Sequence, residues 1–361
     1  MKLSVLDQSI AVRGAQASQA IANSLDLAQH CDRLGFHRYW VSEHHNTDSI
    51  VGTAPEVLMA AIAVRTRRIR VGSAGVMLPH YAALKVAEQF RVLEALAPGR
   101  IDLGLGRAPG SDQRTALALN PHGLGADHFP DQVIDLHAWV NGIPLAPGHP
   151  FGQIKAHPQG NSAPQLWILG SSQYGARLAA YLGLPYAFAY FFSEGRGVED
   201  ALESYRRHFR PSAALAEPYA TICIWALAAD SEAQAHHLLK SRAHWRAGFE
   251  RGLRDPLISP EEVDRHAYGP GEWQAVQAVV AKAIVGTAEQ VAERIDALAR
   301  ALQLDEIVIN TWTFEHQARV HSYRLLAAIH GLAQADHLAF AGEHKAAQAG
   351  VESARGKERQ A

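Results

Sequence analysis

The chain is poor in cysteine, with only Cys31 and Cys223 among its 361 residues. Neither belongs to a C-x-x-C pair, so we expect neither a disulfide framework nor a thiolate metal site. Both cysteines lie in apolar segments with helical or strand periodicity. This usage is typical of a reducing compartment, and we expect a cytoplasmic protein.

The chain also lacks an excess of charge, because 34 basic residues balance 36 acidic residues to a net charge of −2. This balance argues against nucleic acid or a membrane surface as the partner. No uninterrupted apolar run approaches the roughly 18 residues that a membrane span needs. The first residues lack the basic and apolar regions of a signal peptide. We therefore expect neither a nucleic-acid nor a membrane partner.

Two motifs of common binding sites are missing as well. The first predicted strand ends in Asp7, Gln8 and Ser9 rather than in a G-x-G-x-x-G loop, which argues against an open dinucleotide-binding sheet. The 20 histidines are scattered and form no H-E-x-x-H or similar pattern. We expect no metal site.

What the chain does have is a regular alternation of strand-like and helix-like segments. Eight β-then-α units favour the α/β class, with a parallel sheet closed into a (β/α)8 TIM barrel. The predicted strands are 3–9, 38–44, 69–77, 101–107, 165–169, 186–192, 220–229 and 306–311. Insertions follow strands four and seven, and the second insertion includes an irregular stretch over 250–283. We expect one domain over 1–335 and a polar C-terminal tail over 336–361.

Small residues stand where two neighbouring strands of this barrel end. The third strand ends in Ser73, Ala74 and Gly75, and the fourth ends in Gly106 and Arg107. In a TIM barrel the functional site lies at the C-terminal ends of the strands. Small side chains beside one arginine therefore predict a space for a flat, anionic ligand.

The second strand ends in a polar run, Glu43-His44-His45-Asn46. A carboxylate and imidazoles at a strand end can serve as general acid or base groups, as metal ligands or as hydrogen-bond partners of a heterocycle. An exposed polar loop is the alternative interpretation. Adjacent residues of a strand point to opposite faces, so at most one of the two histidines faces the site.

The fifth strand runs into Gly170, Ser171, Ser172 and Tyr174 ahead of a helix. Glycine, hydroxyl groups and free backbone N–H groups at a helix N-terminus favour a phosphate site. Arg107 from the neighbouring strand can supply the opposite charge. The alternatives are an ordinary serine N-cap and a salt bridge at the barrel rim.

Aromatic residues end three later strands. The sixth strand ends in Tyr190, Phe191 and Phe192, the seventh contributes Trp225 and the eighth Trp312. They predict an apolar wall for a substrate opposite a flat cofactor. Core packing is the alternative interpretation.

Several motifs in order along the chain resemble the bacterial luciferase-like flavin-dependent monooxygenases. They are YWVSEHHN at 39–46, VGSAGVMLPH at 71–80, AEQF at 87–90, APGRIDLGLGRAPG at 97–110, WILGSSQYGAR at 167–177 and GTAEQV at 286–291. The resemblance spans nearly the whole chain. It implies a (β/α)8 barrel with insertions that binds FMN at its C-terminal mouth. It also implies use of reduced FMN and O2, through a C4a-peroxyflavin, to oxidise a small and apolar substrate.

The resemblance also assigns roles to residues. Ala74 and Gly75 would lie beside the isoalloxazine, joined by a cis peptide bond, and Glu43 would help to hold the flavin. His44 would be the catalytic base or the group that stabilises the peroxyflavin. The residues implied to bind the phosphate are Arg107, Ser171, Ser172 and Tyr174.

Partners follow from the same resemblance. Because the chain has no nucleotide loop of its own, a separate flavin reductase would supply FMNH2. Members of the family tend to form homodimers through early helices, and the alanine-rich helix over 54–64 suits such packing. Two alternatives remain: hydride transfer with the deazaflavin F420 on the same barrel, and flavin binding without turnover.

Overall fold

Nine strands alternate with helices along the chain. In the computed structural model, which describes residues 1–121 and 126–332, the strands are β1 Lys2–Asp7, β2 Arg38–Val41, β3 Arg70–Met77, β4 Ile101–Gly106, β5 Gln165–Gly170, β6 Tyr186–Phe188, β7 Ala220–Ala228, β8 Ile284–Gly286 and β9 Glu306–Asn310. The predicted tail over 336–361, and the domain end at 335, lie outside the described residues.

The helices stand between these strands and cover their outer face. They are α1 Ala17–Leu34, α2 Pro55–Arg65, α3 Ala83–Leu96, α4 Gln113–Leu119, α5 Phe129–Asn141, α6 Gln173–Leu182, α7 Tyr190–Ser193, α8 Val198–His208, α9 Glu232–Glu250, α10 Pro260–Arg265, α11 Pro270–Lys282, α12 Ala288–Leu302 and α13 His316–Ile329. None of these helices, which cover only the described part of the chain, is both long and apolar enough to cross a membrane.

Eight of the strands close into a parallel barrel, which confirms the predicted fold class. The order is β6-β5-β4-β3-β2-β1-β9-β7, and β6 pairs with β7 to complete the ring. The three-residue strand β8 pairs only with the far end of β7 and is an addition to the barrel. The insertions follow β4 and β7 as predicted.

Alternation along the strands separates the barrel interior from the layer beneath the helices. On β7, Ile222 and Ile224 pack in the large outer core, whereas Cys223 packs inside the barrel with Trp40 and Trp167. The two indole rings meet edge to face, with centroids 5.0 Å apart. The interior is therefore filled with large side chains below the mouth, as is usual for eight strands.

A buried ion network closes the N-terminal end of the barrel. Arg38 donates from Nη1 to Asp102 Oδ2 at 2.8 Å and from Nε to Glu306 Oε1 at 3.0 Å. Arg70 and Trp40 also donate to Asp102. These charges are paired and hydrogen-bonded, which is what burial requires of them. The network joins β2, β3, β4 and β9 at the end opposite the site.

Two predictions about the later half of the chain were wrong. The stretch 250–283 is not irregular, because it contains α10 and α11. Ser259 caps α10 by accepting from Glu262 N, and the Glu262 side chain accepts from Ser259 N, which is a capping box. The sixth strand ends at Phe188 rather than at 192, since residues 190–193 turn into α7.

Candidate active site

The floor of the site lies where β3 and β4 end. The hydroxyl of Ser73 donates to Gly104 O at 2.9 Å and accepts from Gly104 N at 3.1 Å, so the two backbones approach closely. A Cβ on Gly104 would collide with the carbonyl oxygen of Ser73. The Ala74–Gly75 peptide bond is cis, as expected, and the pairing of β3 with β4 shifts register between Ser73 and Val76.

A cavity of about 230 Å³, here the main cavity, opens above this floor at the C-terminal ends of the strands. Seven of the eight residues predicted to bind the cofactor line it: Ala74, Gly75, Arg107, Gly170, Ser171, Ser172 and Tyr174. Much of the remaining lining is apolar, and it includes Trp40, Met77, Phe129 and Leu169. The structure therefore brings residues from distant parts of the sequence to one apolar space with a polar end.

That polar end is formed by Arg107 and the start of α6. The guanidinium of Arg107 lies 4.0 Å from the centroid of the Tyr174 ring, and both side chains are exposed. Among the described residues Arg107 has no carboxylate or other hydrogen-bond partner. The N-cap residue of α6, Ser172, makes no side-chain hydrogen bond to the helix. Its hydroxyl and the first N–H groups of α6 can therefore bind an anion.

Glu43 does not line the main cavity. It is fully buried, and it accepts from the backbone N–H of Met77 at 2.9 Å and from the Tyr81 hydroxyl at 2.6 Å. The His45 ring nitrogen Nε2 lies 2.8 Å from Glu43 Oε1, the oxygen that also accepts from Tyr81. Because Met77 lines the cavity, Glu43 holds the cavity wall in place from behind. Sequence reasoning missed Tyr81, although the tyrosine directly follows the LPH motif.

The rings of His44 and His45 face different sites, as predicted, but not by strand alternation, because β2 ends at Val41 rather than at 44 and both residues lie in the loop after it. His45 turns to Glu43, whereas His44 lines a smaller cavity of about 40 Å³ over the barrel mouth. The Nδ1 of His44 lies 3.2 Å from Ser42 Oγ, and its Nε2 has no partner in the described part of the chain. Burial, with the neighbouring His45, lowers the pKa of His44 to about 4. The imidazole is therefore neutral at neutral pH.

The predicted aromatic wall exists, but it is built differently. Phe191 and Phe192 lie on α7, with ring centroids 4.4 Å apart, and they line both the main cavity and the mouth cavity. Trp312 lines the mouth cavity from the end of β9. Trp225 and Tyr190 line a third space, the outer cavity, of about 650 Å³ between α7, α9 and α12. Phe191 borders all three cavities.

Four residues of α9 that sequence reasoning missed complete the mouth cavity: Arg242, Trp245, Arg246 and Phe249. The helix belongs to the insertion after β7, and nothing in its own periodicity showed which residues would cross the mouth.

Known proteins resemble this chain over most of its length. The sequence profile of the luciferase-like monooxygenases matches residues 1–305. A luciferase-like monooxygenase of Escherichia coli (strain K12) is 41% identical over 323 residues, which cover 89% of this chain and 95% of the relative. The N-acetyl-S-alkylcysteine monooxygenase of Bacillus subtilis (strain 168) is 36% identical over 333 residues, 91% of this chain and 97% of the relative.

Solved structures agree with the sequence relatives. Apo-MsnO8 superimposes with a TM-score of 0.83 at 32% identity, covering 92% of this chain and 98% of the other. The fold is shared by the oxygenating constituent of 3,6-diketocamphane monooxygenase in complex with FMN, with a TM-score of 0.66, 18% identity and coverage of 91% and 97%. It is also shared by an F420-dependent secondary alcohol dehydrogenase, with a TM-score of 0.65, 14% identity and coverage of 90% and 97%. The chain belongs to the luciferase-like monooxygenase family.

Proposed function

We propose that the protein is an FMN-dependent monooxygenase that receives reduced FMN from a separate flavin reductase and uses O2 to oxidise a small, largely apolar substrate. The observation that carries this proposal is the arrangement of the main cavity. An unpaired arginine and a free helix N-terminus stand at one end, and a bare backbone floor lies at the other. Reduced FMN, when bound, supplies the electrons that activate O2.

The phosphate end fits the cofactor. Arg107 offers a planar set of donors that have no protein partner in the described ranges. The Tyr174 ring packs against its guanidinium. Ser171, Ser172 and the first N–H groups of α6 complete the anion site, and Gly170 leaves it open. A Cβ on Gly170 would meet only Gly175 Cα, at 3.9 Å.

The ring end fits as well. A Cβ on Gly75 would lie 2.8 Å from Leu169 Cδ1 and 2.9 Å from Gly104 O, so only glycine is tolerated there. With Ala74 beside it, the backbone presents a flat surface with little side chain. A planar isoalloxazine can lie against such a surface, as the apolar lining of the main cavity also favours. Glu43 supports this surface by accepting a hydrogen bond from the backbone N–H of Met77, and we propose no direct contact between Glu43 and the flavin.

His44 is the residue that we propose for proton chemistry. Its neutral imidazole, held at Nδ1 by Ser42, leaves Nε2 free to accept a proton or a hydrogen bond beside the cofactor site. Phe191 and Phe192 line both the mouth cavity and the main cavity, and their apolar rings disfavour water where the two cavities meet.

The experiment that tests the cofactor is a side-by-side titration of the protein with FMN, FMNH2 and F420. Arg107→Ala should weaken FMN by about 1.5–3 kcal/mol, the usual worth of a hydrogen bond to a charged group. Arg67→Ala, which removes an exposed arginine far from the cavity, is the matched control and should have no effect. Preference for F420 would instead favour hydride transfer. Unchanged FMN affinity in Arg107→Ala would overturn the proposed phosphate site.

Turnover separates the proposal from flavin binding alone. With a generic flavin reductase, the protein should consume O2 in a substrate-dependent way. The complete ring of eight strands and the retained His44 favour catalysis. A cytoplasmic location and a homodimer remain part of the proposal; both cysteines are free and buried, which suits a reducing compartment.

A further inference from the structure

One arginine in the barrel mouth is buried, and no carboxylate in the described part of the chain forms an ion pair with it. Arg242, on α9, is 8% exposed, and within the described residues it has no hydrogen bond and no carboxylate within ion-pair distance. The guanidinium carbon of Arg242 lies 4.3 Å from the centroid of the Trp225 ring. A buried charge is costly unless something pairs with it.

The surroundings of Arg242 are rich in donors. The mouth cavity that it lines contains a second arginine, Arg246, which pairs with Glu250 at 3.2 Å, and no aspartate or glutamate among its described lining residues. One acceptor that lines the cavity, Asn310 Oδ1, has no partner among the described residues. Trp245 and Trp312 line the same cavity, and their indole N–H groups are buried without a partner. The N–H of Trp225 is also unpaired. Several donors around one small space, with no protein anion, form a site for a ligand anion.

The adjoining outer cavity continues the positive charge toward the surface. It is lined by Arg242, Arg246, Lys282 and Arg294, and by one carboxylate, Glu194. That carboxylate forms an ion pair with Lys282 at 2.5 Å, and it attracts Arg242 only from beyond ion-pair distance. A cleft lined by one sign of charge attracts ligands of the other sign. An anion entering here would therefore reach Arg242.

We propose that Arg242 binds a carboxylate on the substrate, so that the substrate is an apolar molecule with one acidic end. The mouth cavity, at about 40 Å³, has room for a small head group, and the apolar body would extend past Phe191 toward the main cavity. This proposal rests on the proposed function in taking the main cavity as the place of oxidation. It adds the chemical class of the substrate and the residue that selects it.

The test uses a matched pair of probes, hexanoate and the neutral hexanamide, with binding measured by saturation-transfer NMR on the full chain without cofactor. Wild type should bind hexanoate at least about tenfold more tightly than hexanamide, as expected for hydrogen bonds to a charged group. Arg242→Met should lose this preference. Lys240→Met is the control, because it removes the same charge from the same helix where Lys240 pairs with Asp264 instead. It should keep the preference.

Equal affinity of wild type for the two probes, or a preserved preference in Arg242→Met, would overturn the proposal. Since the guanidinium has no hydrogen-bond partner within the described ranges, Arg242→Met should not lower the thermal midpoint; a marked drop would show a structural role and overturn the proposal. Arg242→Lys should weaken hexanoate yet retain part of the preference, because it keeps the charge without the planar donors.

The same measurements separate this proposal from the proposed function. Arg107→Ala should lose FMN affinity and keep the preference for hexanoate. If wild type binds hexanoate through Arg242 but neither FMN nor FMNH2, the proposed function fails and the carboxylate site stands.

Discussion

Two adjacent histidines show how the direction of a side chain decides its chemistry. His45 pairs with a buried carboxylate and serves the structure, whereas His44 faces a cavity with one ring nitrogen free. Strand alternation predicted that the two would face opposite ways, although both lie in the loop after β2, which ends at Val41. It could not predict that burial would keep His44 neutral.

The neutral state of His44 can be measured directly. Its pKa is lowered by burial to about 4 from an ordinary value of 6.5. An NMR titration between pH 3.5 and 8 should therefore show two imidazole resonances with midpoints near 4, those of His44 and His37, and only one of them should be absent in His44→Gln. A resonance of His44 that titrates near 6.5 would contradict the burial argument.

The same shift links His44 to stability. The unfolded chain takes up this proton near pH 6.5 and the folded chain only near 4, so the stability that the neutral imidazole contributes is present above pH 6.5 and is lost as pH falls toward 4. His44→Gln should flatten this part of the stability curve. Denaturant unfolding of both proteins at pH 7 and pH 4.5 gives the comparison.

Residue positions at strand ends were readable from the sequence, which is why seven predicted residues do line the main cavity. Arg242 was not readable, because it lies in the middle of a helix. The direction of the Arg242 side chain depends on how α9 crosses the mouth, and no local sequence pattern shows how the helix is placed. The partners of Glu43 were hidden for a similar reason, since Met77 and Tyr81 are more than thirty residues away in sequence.

At the scale of elements, β3 and β4 depend on each other through one glycine. Gly104→Ala would place a methyl group against the Ser73 carbonyl, and backbone atoms cannot move aside as a side chain end does. We expect a loss of about 2–3 kcal/mol of unfolding free energy, in the range of overpacked cores. Weaker FMN binding should accompany it, because the floor of the main cavity shifts.

Chemical denaturation and FMN titration check this expectation. Gly271→Ala is the matched control, since a Cβ there would meet nothing within 4 Å. It should lower neither quantity, because alanine suits the first turn of α11 at least as well as glycine does. If Gly104→Ala proves as stable as wild type, the close approach of the two strands is not what the distances indicate.

Helices and strands differed in how well the sequence predicted them. Long periodic helices such as α12 and the eight barrel strands were predicted because each buries a repeating face. The capping box at Ser259 was present in the sequence and was overlooked. The three-residue strand β8 and the four-residue helix α7 are too short to show periodicity, and tertiary packing alone defines them.

For the whole molecule, counting β/α units predicted the closed barrel, but not the charges that close its base. Arg38 meets Asp102 and Glu306 across 64 and 268 residues of sequence, so only the closed ring brings them together. The site and this network lie at opposite ends of the same strands. The ion network therefore holds the N-terminal end of the barrel in place whether or not a ligand occupies the mouth.

The outer surface carries the last prediction, which concerns assembly. Val57 and Val64, seven residues apart on α2, are 67% and 64% exposed, and Val92 and Leu96 on the neighbouring α3 are 49% and 51% exposed. Exposed apolar side chains on adjacent helices are typical of an interface.

We expect a homodimer through this face, with a mass twice the 39.2 kDa of the chain. Light scattering should show that Val64→Lys produces monomers, because a buried unpaired charge opposes association. Ile329→Lys, on α13 and 43% exposed, should leave the dimer intact, whereas a monomeric wild type would exclude this interface.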